Sequence, residues 1–200
     1  MNKYISIDIA KKSGYWLYDP VNNKLLTDKI INKKGLLPDY ILFTTDECNK
    51  ITKQYNTWDN PKTILFTESI MRIQGKGGRG MNVENELVTN CLHGIYRTYF
   101  FRNSTREFVH QRSWYSKMIG HYFPYENNPK KPIKKKQCLD IFKRFFGNIY
   151  SEEITEDQID AFFVMLYGIY THNYDNYRKL VETYGTSNRD TGEGYYAKDE

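Results

Sequence analysis

Two aspartates three residues apart, Asp157 and Asp160, head the apolar run in SEEITEDQIDAFFVMLYGIY, residues 151–170. Carrying an unpaired charge into a core is costly, so their place there needs a reason. One reason is local: Thr155 with Gln158 fits a capping box, which predicts a helix from about Glu156. Acidic residues in a first turn are also favoured by the helix dipole. Two more carboxylates widen the pattern. Asp8 interrupts the apolar stretch of Ile5, Ile7 and Ile9, and Glu68 ends KTILFTE at 62–68. Alone, each has an ordinary reading, as a solvent-facing or edge-strand Asp and an exposed strand-end Glu. Together they change the picture, because open α/β sheets collect functional groups at strand ends and adjoining helix termini. If the two strands are neighbours, Asp8 and Glu68 project side by side. Residues i and i+3 share a helix face, so Asp157 and Asp160 can join them.

Four converging carboxylates repel one another and become tolerable with divalent cations between them. An all-oxygen donor set without a His or Cys cluster selects Mg²⁺, with Mn²⁺ as a substitute, over zinc. Two such ions can activate a water and stabilise the leaving oxygen of a phosphodiester. The four acids therefore point to two-metal hydrolysis of a nucleic-acid backbone.

Charge distribution agrees with a polyanionic partner. The formal net charge is +5, and nine basic residues fall between Arg102 and Lys136 against only Glu107 and Glu126. Residues 151–160 hold five acids and no base. A basic segment beside an acidic knot suits nucleic acid plus bound cations, where a patchily charged solvated surface is the plain alternative. Cys48, Cys91 and Cys138 are odd in number and have no CxxC spacing, which implies neither a zinc framework nor a disulfide set. No signal pattern or membrane-length apolar run is present, so a soluble protein in a reducing intracellular compartment is expected.

The elements that must position these residues follow from periodicity. YISIDI (4–9), GYWLYD (14–19) and KLLTDKIIN (24–32) read as a three-stranded meander, and 62–68 as a buried strand. Helices are expected over 37–55 and 82–99, the latter from its apolar spacing. A glycine-rich basic loop, QGKGGRG, lies between at 74–80 and lacks the GK[ST] of a Walker A motif. A strand over 107–112, a proline-broken basic connection at 127–136 and helices over 136–146 and 156–172 complete the order β-β-β-α-β-α-β-α-α. That order predicts one α/β domain over 1–184, with a mixed sheet flanked by helices on both faces and a loose tail at 185–200.

ISIDIAKKSGYWLYD, ILFTES and DQIDAFF together resemble the three acidic motifs of RuvC-like Holliday junction resolvases, members of the RNase H-like superfamily. The D-x-x-D-A pattern falls on Asp157, Asp160 and Ala161, and the likeness covers roughly residues 3–172. It implies an RNase H-like five-stranded mixed sheet and a homodimer that nicks four-way DNA junctions symmetrically. Asp8, Glu68, Asp157 and Asp160 would be the metal ligands, and helix 82–99 the dimerising or core-packing element. Lys117 and Lys135 or Lys136 fall where family members carry functional lysines, and one of them could stabilise transition-state charge at the scissile phosphate. The chain departs from the pattern in two places. Glycine after the first Asp is delayed to Gly14, and Met71 stands where an aromatic wedge is usual, though Met can also wedge between base steps. The Lys-rich insertion points to a divergent lineage, viral, phage or organellar.

Arg72, Lys76, Arg79, Arg112, Lys117, Lys134, Lys135 and Lys136 are the expected phosphate contacts, together with Met71 at the junction. His110, Trp114, Tyr115 and His121 lie in the same basic segment and could stack on unpaired bases. Half-buried packing is the commoner role for such residues. Competing readings are a nuclease-dead RNase H-like DNA-binding or assembly module, and a flap or RNA–DNA hybrid nuclease. A sugar-kinase or actin-like ATPase would need a second domain that this length cannot hold.

Overall fold

A computed structural model describes residues 1–9, 12–31, 61–68, 102–122 and 135–186, together with Asp46, Cys91, His93 and Gly94. The expected loop 74–80, most of helices 37–55 and 82–99, the connection 127–134 and residues 187–200 of the tail lie outside them. Asp46, Cys91, His93 and Gly94 are helical, in keeping with the two expected helices.

Five strands form one mixed sheet: β1 (Lys3–Asp8), β2 (Lys12–Asp19), β3 (Lys24–Ile31), β4 (Thr63–Glu68) and β5 (Thr105–Val109). Their order is β3-β2-β1-β4-β5. The meander runs antiparallel, while β1–β4 and β4–β5 are parallel. The β2–β3 hairpin turns through Asn23 at φ 47°, a left-handed value that Asn tolerates better than most residues. The fifth strand begins at Thr105, two residues before the expected start, and stops before His110. Its first residues, Thr105 and Arg106, pair with β4 despite their polarity, which hid them from an apolar pattern.

After β5, α1 (Gln111–Trp114) continues directly into a π-helical segment, Tyr115–Tyr122. Then come α2 (Lys135–Phe146), a 3₁₀ turn at Gly147–Ile149, α3 (Glu156–His172) and α4 (Tyr174–Tyr184). The sequence reading gave α2 and α3 to within a residue and did not name α4. That helix is capped by Asn173, whose side chain accepts from Asn176 N, and buries Tyr177, Leu180 and Val181.

The core lies between α3 and one face of the sheet. Tyr4, Trp16, Tyr18, Ile64, Phe66 and Val109 project there, against Phe162, Phe163, Leu166 and Ile169 of α3. Tyr4 stacks between Tyr18 and Phe66, and Phe142 of α2 meets Phe162 edge-on at 5.0 Å. Gly168 lets α3 lie close, since a Cβ there would come within 2.5 Å of the Phe66 ring. The other face is buried too, at Ile5, Ile7, Leu17 and Leu65. On that side Arg106 Nη2 donates to His93 Nδ1 at 2.7 Å, so a helical residue packs there as well. No described helix is long and apolar enough to cross a membrane.

Candidate functional site

Strand alternation sends Tyr4, Ser6 and Asp8 of β1 to the α3 face, and Ile64, Phe66 and Glu68 of β4 to the same face. The parallel register runs to Ile7 opposite Thr67, and one further step sets Asp8 beside Glu68. Neighbouring strands lie about 4.8 Å apart. The sequence condition for a side-by-side pair, that strands one and four be neighbours, is therefore met.

The first turn of α3 is capped locally and fixed to this end of the sheet by four further devices. Thr155 and Gln158 form the expected capping box. Gln158 Nε2 donates to Thr27 Oγ1 at 2.8 Å, reaching β3. Trp16 Nε1 donates to Gln158 O at 2.6 Å, and Ser6 Oγ donates to Ala161 O at 2.6 Å. The carbonyls that follow Asp157 and Asp160 in the chain are thus tied to β2 and β1. The fourth device is an absent side chain. Gly14 pairs with Asp8 across the β1–β2 ladder, and a Cβ on it would lie 2.3 Å from Gln158 N and 2.5 Å from Asp157 C. The delayed glycine is what lets the acidic turn of α3 sit on the strand next to Asp8.

Asp160 is buried, and Asp8, Glu68 and Asp157 are half-buried. Trp114 Nε1 donates to Glu68 Oε1 at 2.5 Å. The Tyr115 phenol is pushed well above its ordinary pKa, first by burial, then by Cys138, the Asp160 charge, a hydrogen bond with Cys138 and the Glu68 charge. It stays protonated and feels carboxylates from both β4 and α3. The sequence pattern presented Trp114 and Tyr115 as base-stacking or packing residues, with no link to the four acids. Trp114 takes the buried packing role, but its bond to Glu68 spans 46 positions and has no local signal.

The donor chemistry fits a hard divalent cation, with four carboxylates and no imidazole or thiolate among the proposed ligands. The backbone brings the strand ends and the helix turn that carry these acids to one end of the sheet. Among the described residues, however, no group of three or more His, Cys, Asp or Glu side chains has the spacing to hold a metal ion.

The basic residues divide. Arg112 is exposed on α1, two residues before Trp114. Lys117 Nζ lies over the Tyr170 ring, 5.2 Å from its centroid. Tyr170 is ten residues beyond Asp160, a helical rise of about 15 Å, so this ammonium stands well down α3 from the acidic turn. Lys135 and Lys136 open α2. Met71, Arg72, Lys76, Arg79 and Lys134 lie outside the described residues. Comparison of the sequence with protein-family models and with curated proteins gives no match.

Proposed function

We propose that the chain is a Mg²⁺-dependent DNA endonuclease of RNase H-like fold, acting as a homodimer that resolves four-way junctions. The observation that supports this reading is that Asp8 and Glu68 end adjacent parallel strands at the end of the sheet where the first turn of α3, with Asp157 and Asp160, is seated. Asp8, Glu68, Asp157 and Asp160 would hold two ions. Bound there, the ions supply an activated water and charge stabilisation at the leaving oxygen of the phosphodiester. The chain's own part is placement. Ser6, Trp16 and Gln158 lock the turn that carries both aspartates, and Trp114 engages Glu68. Exposed Arg112, with Arg72, Lys76, Arg79 and Lys134–Lys136 from the sequence reading, would contact phosphates without reading bases. Binding should then weaken steeply with salt. The junction, the dimer and the wedge role of Met71 rest on the motif resemblance.

A second reading is a nuclease-dead DNA-binding or assembly module on the same scaffold. It is favoured by the lack of a three-ligand group among the described side chains. One experiment separates the two. The full chain is given end-labelled four-way junction, 5′ flap, RNA–DNA hybrid and plain duplex in about 5–10 mM Mg²⁺, a range suited to weak hard-cation sites. Asp8→Asn is the control. Paired symmetric nicks in the junction support the resolvase reading, and cutting of flap or hybrid keeps the nuclease but replaces the substrate. Junction binding with no cutting in Mg²⁺ or Mn²⁺ favours the module.

A further inference from the structure

Trp114 is fully buried, yet its one polar atom is committed to a carboxylate rather than to a main-chain carbonyl. Trp16 offers the contrast. It is equally enclosed, and its indole N–H is satisfied by Gln158 O, a neutral partner. The orientation of Trp114 is held by aromatic neighbours. Its ring stacks on Tyr115 at 3.9 Å and lies parallel to Phe163, 6.0 Å away. Phe163 follows Asp160 by three residues on α3, so the helix that carries Asp160 also braces the ring that engages Glu68. The helix winding changes from α to π at Tyr115, directly after Trp114. Runs of π-helix are rare and gather at functional sites.

A glutamate at a strand end has three rotatable side-chain bonds and loses that freedom when it binds a ligand. A rigid indole donor on Oε1 removes much of that freedom in advance. Outer partners of this kind orient metal-binding carboxylates and histidines in many metalloproteins.

We propose that Trp114 is a positioning residue that holds the Glu68 carboxylate in the orientation needed to bind a divalent cation. The proposal rests on the metal-site reading above and extends it to a residue outside the four acids.

The test is the Mn²⁺ affinity of the full chain without DNA, read from the free-ion electron paramagnetic resonance signal. Wild type, Trp114→Phe, Tyr4→Phe and Glu68→Gln are compared, with their folding checked by urea denaturation. Trp114→Phe should weaken Mn²⁺ binding by about 10–100-fold, while Tyr4→Phe, which loses a buried hydrogen bond with Asn176 at the opposite end of β1, should leave it unchanged. Equal weakening in both variants, or none in Trp114→Phe, overturns the positioning role and leaves the metal reading standing. A wild type that binds no Mn²⁺ removes the metal reading and the positioning role with it. A second readout needs no change at Trp114. Its indole ¹H–¹⁵N resonance, assigned by elimination with Trp16→Phe and Trp58→Phe, should move on adding Mg²⁺ and again in Glu68→Gln. A resonance indifferent to Mg²⁺ in a chain that binds Mn²⁺ also overturns the proposal.

Discussion

The two ends of the central strand pair treat their carboxylates in opposite ways. At the end where β1 begins, Asp19 is buried and fully answered. Lys3 Nζ approaches Oδ2 at 3.3 Å, Asn22 Nδ2 donates to the same oxygen at 2.9 Å, and the Val21 and Asn22 amides donate to Oδ1. Burial works against its ionisation, but the Asn22 and Lys3 contacts outweigh that and hold the carboxyl below its usual range. At the end where β1 stops, Asp8 and Glu68 end adjacent strands, the first turn of α3 carries Asp157 and Asp160, and Glu68 accepts from an uncharged indole. Asp19 is a carboxylate that the fold uses to close a hairpin. The acidic end sets like charges on neighbouring elements, a cost in stability that a functional role would explain.

The sharpest break of this comparison is to neutralise one acid at each end. Asp160→Asn should cut junction cleavage by more than about 1000-fold, the scale of several kcal/mol of lost charge stabilisation. Junction binding should be kept or tightened, and the urea midpoint should hold or rise, because a ligand and a repulsive charge disappear together. Loss of stability in Asp160→Asn, with cleavage intact, would make Asp160 a structural residue like Asp19.

Next in size is the seat of α3. Gly14→Ala sets a methyl against the backbone of Asp157 and Gln158, which cannot turn aside as a side chain could. The helix must lift, at a cost of about 3 kcal/mol, the upper part of the range for overpacking. Cleavage should fall with it, because both aspartates ride on that turn. A variant with wild-type stability would mean that the acidic turn is not held by this contact.

Asp19→Asn is the counterpart at the closed end. It should lower stability by about 1.5–3 kcal/mol, the range for hydrogen bonds to a charged group, and leave cleavage per folded molecule unchanged. The sign with pH follows from the depressed pKa. Asp19 contributes stability above its unfolded value of 3.8 and loses it as pH falls through the lower folded value. The gap between wild type and variant should therefore close in acid, as urea midpoints at pH 7 and pH 3 would reveal.

The two ends also differed in how far the sequence exposed them. The capping box at Thr155 and Gln158 is a purely local device, and the helix it opens was readable to the residue. Strands β1 and β4 were legible from apolar runs, and with them the strand-end positions of Asp8 and Glu68. Contacts that act at long range were not. Gly14 stood out in the sequence only as a late glycine, and its role appears once α3 is laid across β2. The Trp114–Glu68 bond depends on how the chain returns after β5, which no periodicity encodes. Helix α4 was missed although Asn173 caps it and Tyr177, Leu180 and Val181 follow helical spacing. Its tyrosines weaken the apolar contrast on which such a reading depends.

His93 carries the comparison to the opposite face of the sheet, where a titratable group again meets charge of its own sign. Its pKa is lowered to about 4, first by burial and then by the Arg106 guanidinium. The neutral ring accepts from Arg106 through Nδ1. Between the unfolded value of 6.5 and the folded value, the unfolded chain binds more protons than the folded one. Stability tied to His93 is therefore complete above the unfolded value and drains away as pH falls towards the folded one. Replacing His93 with Gln, which keeps an acceptor but cannot ionise, should flatten that decline. With the ring's partial exposure allowed for, the flattening between pH 7 and pH 5 should be about 1 kcal/mol. Urea midpoints of wild type and His93→Gln at the two pH values measure it. Parallel shifts in both proteins would mean that the ring is free to take up its proton in the folded state, and that Arg106 does not oppose it.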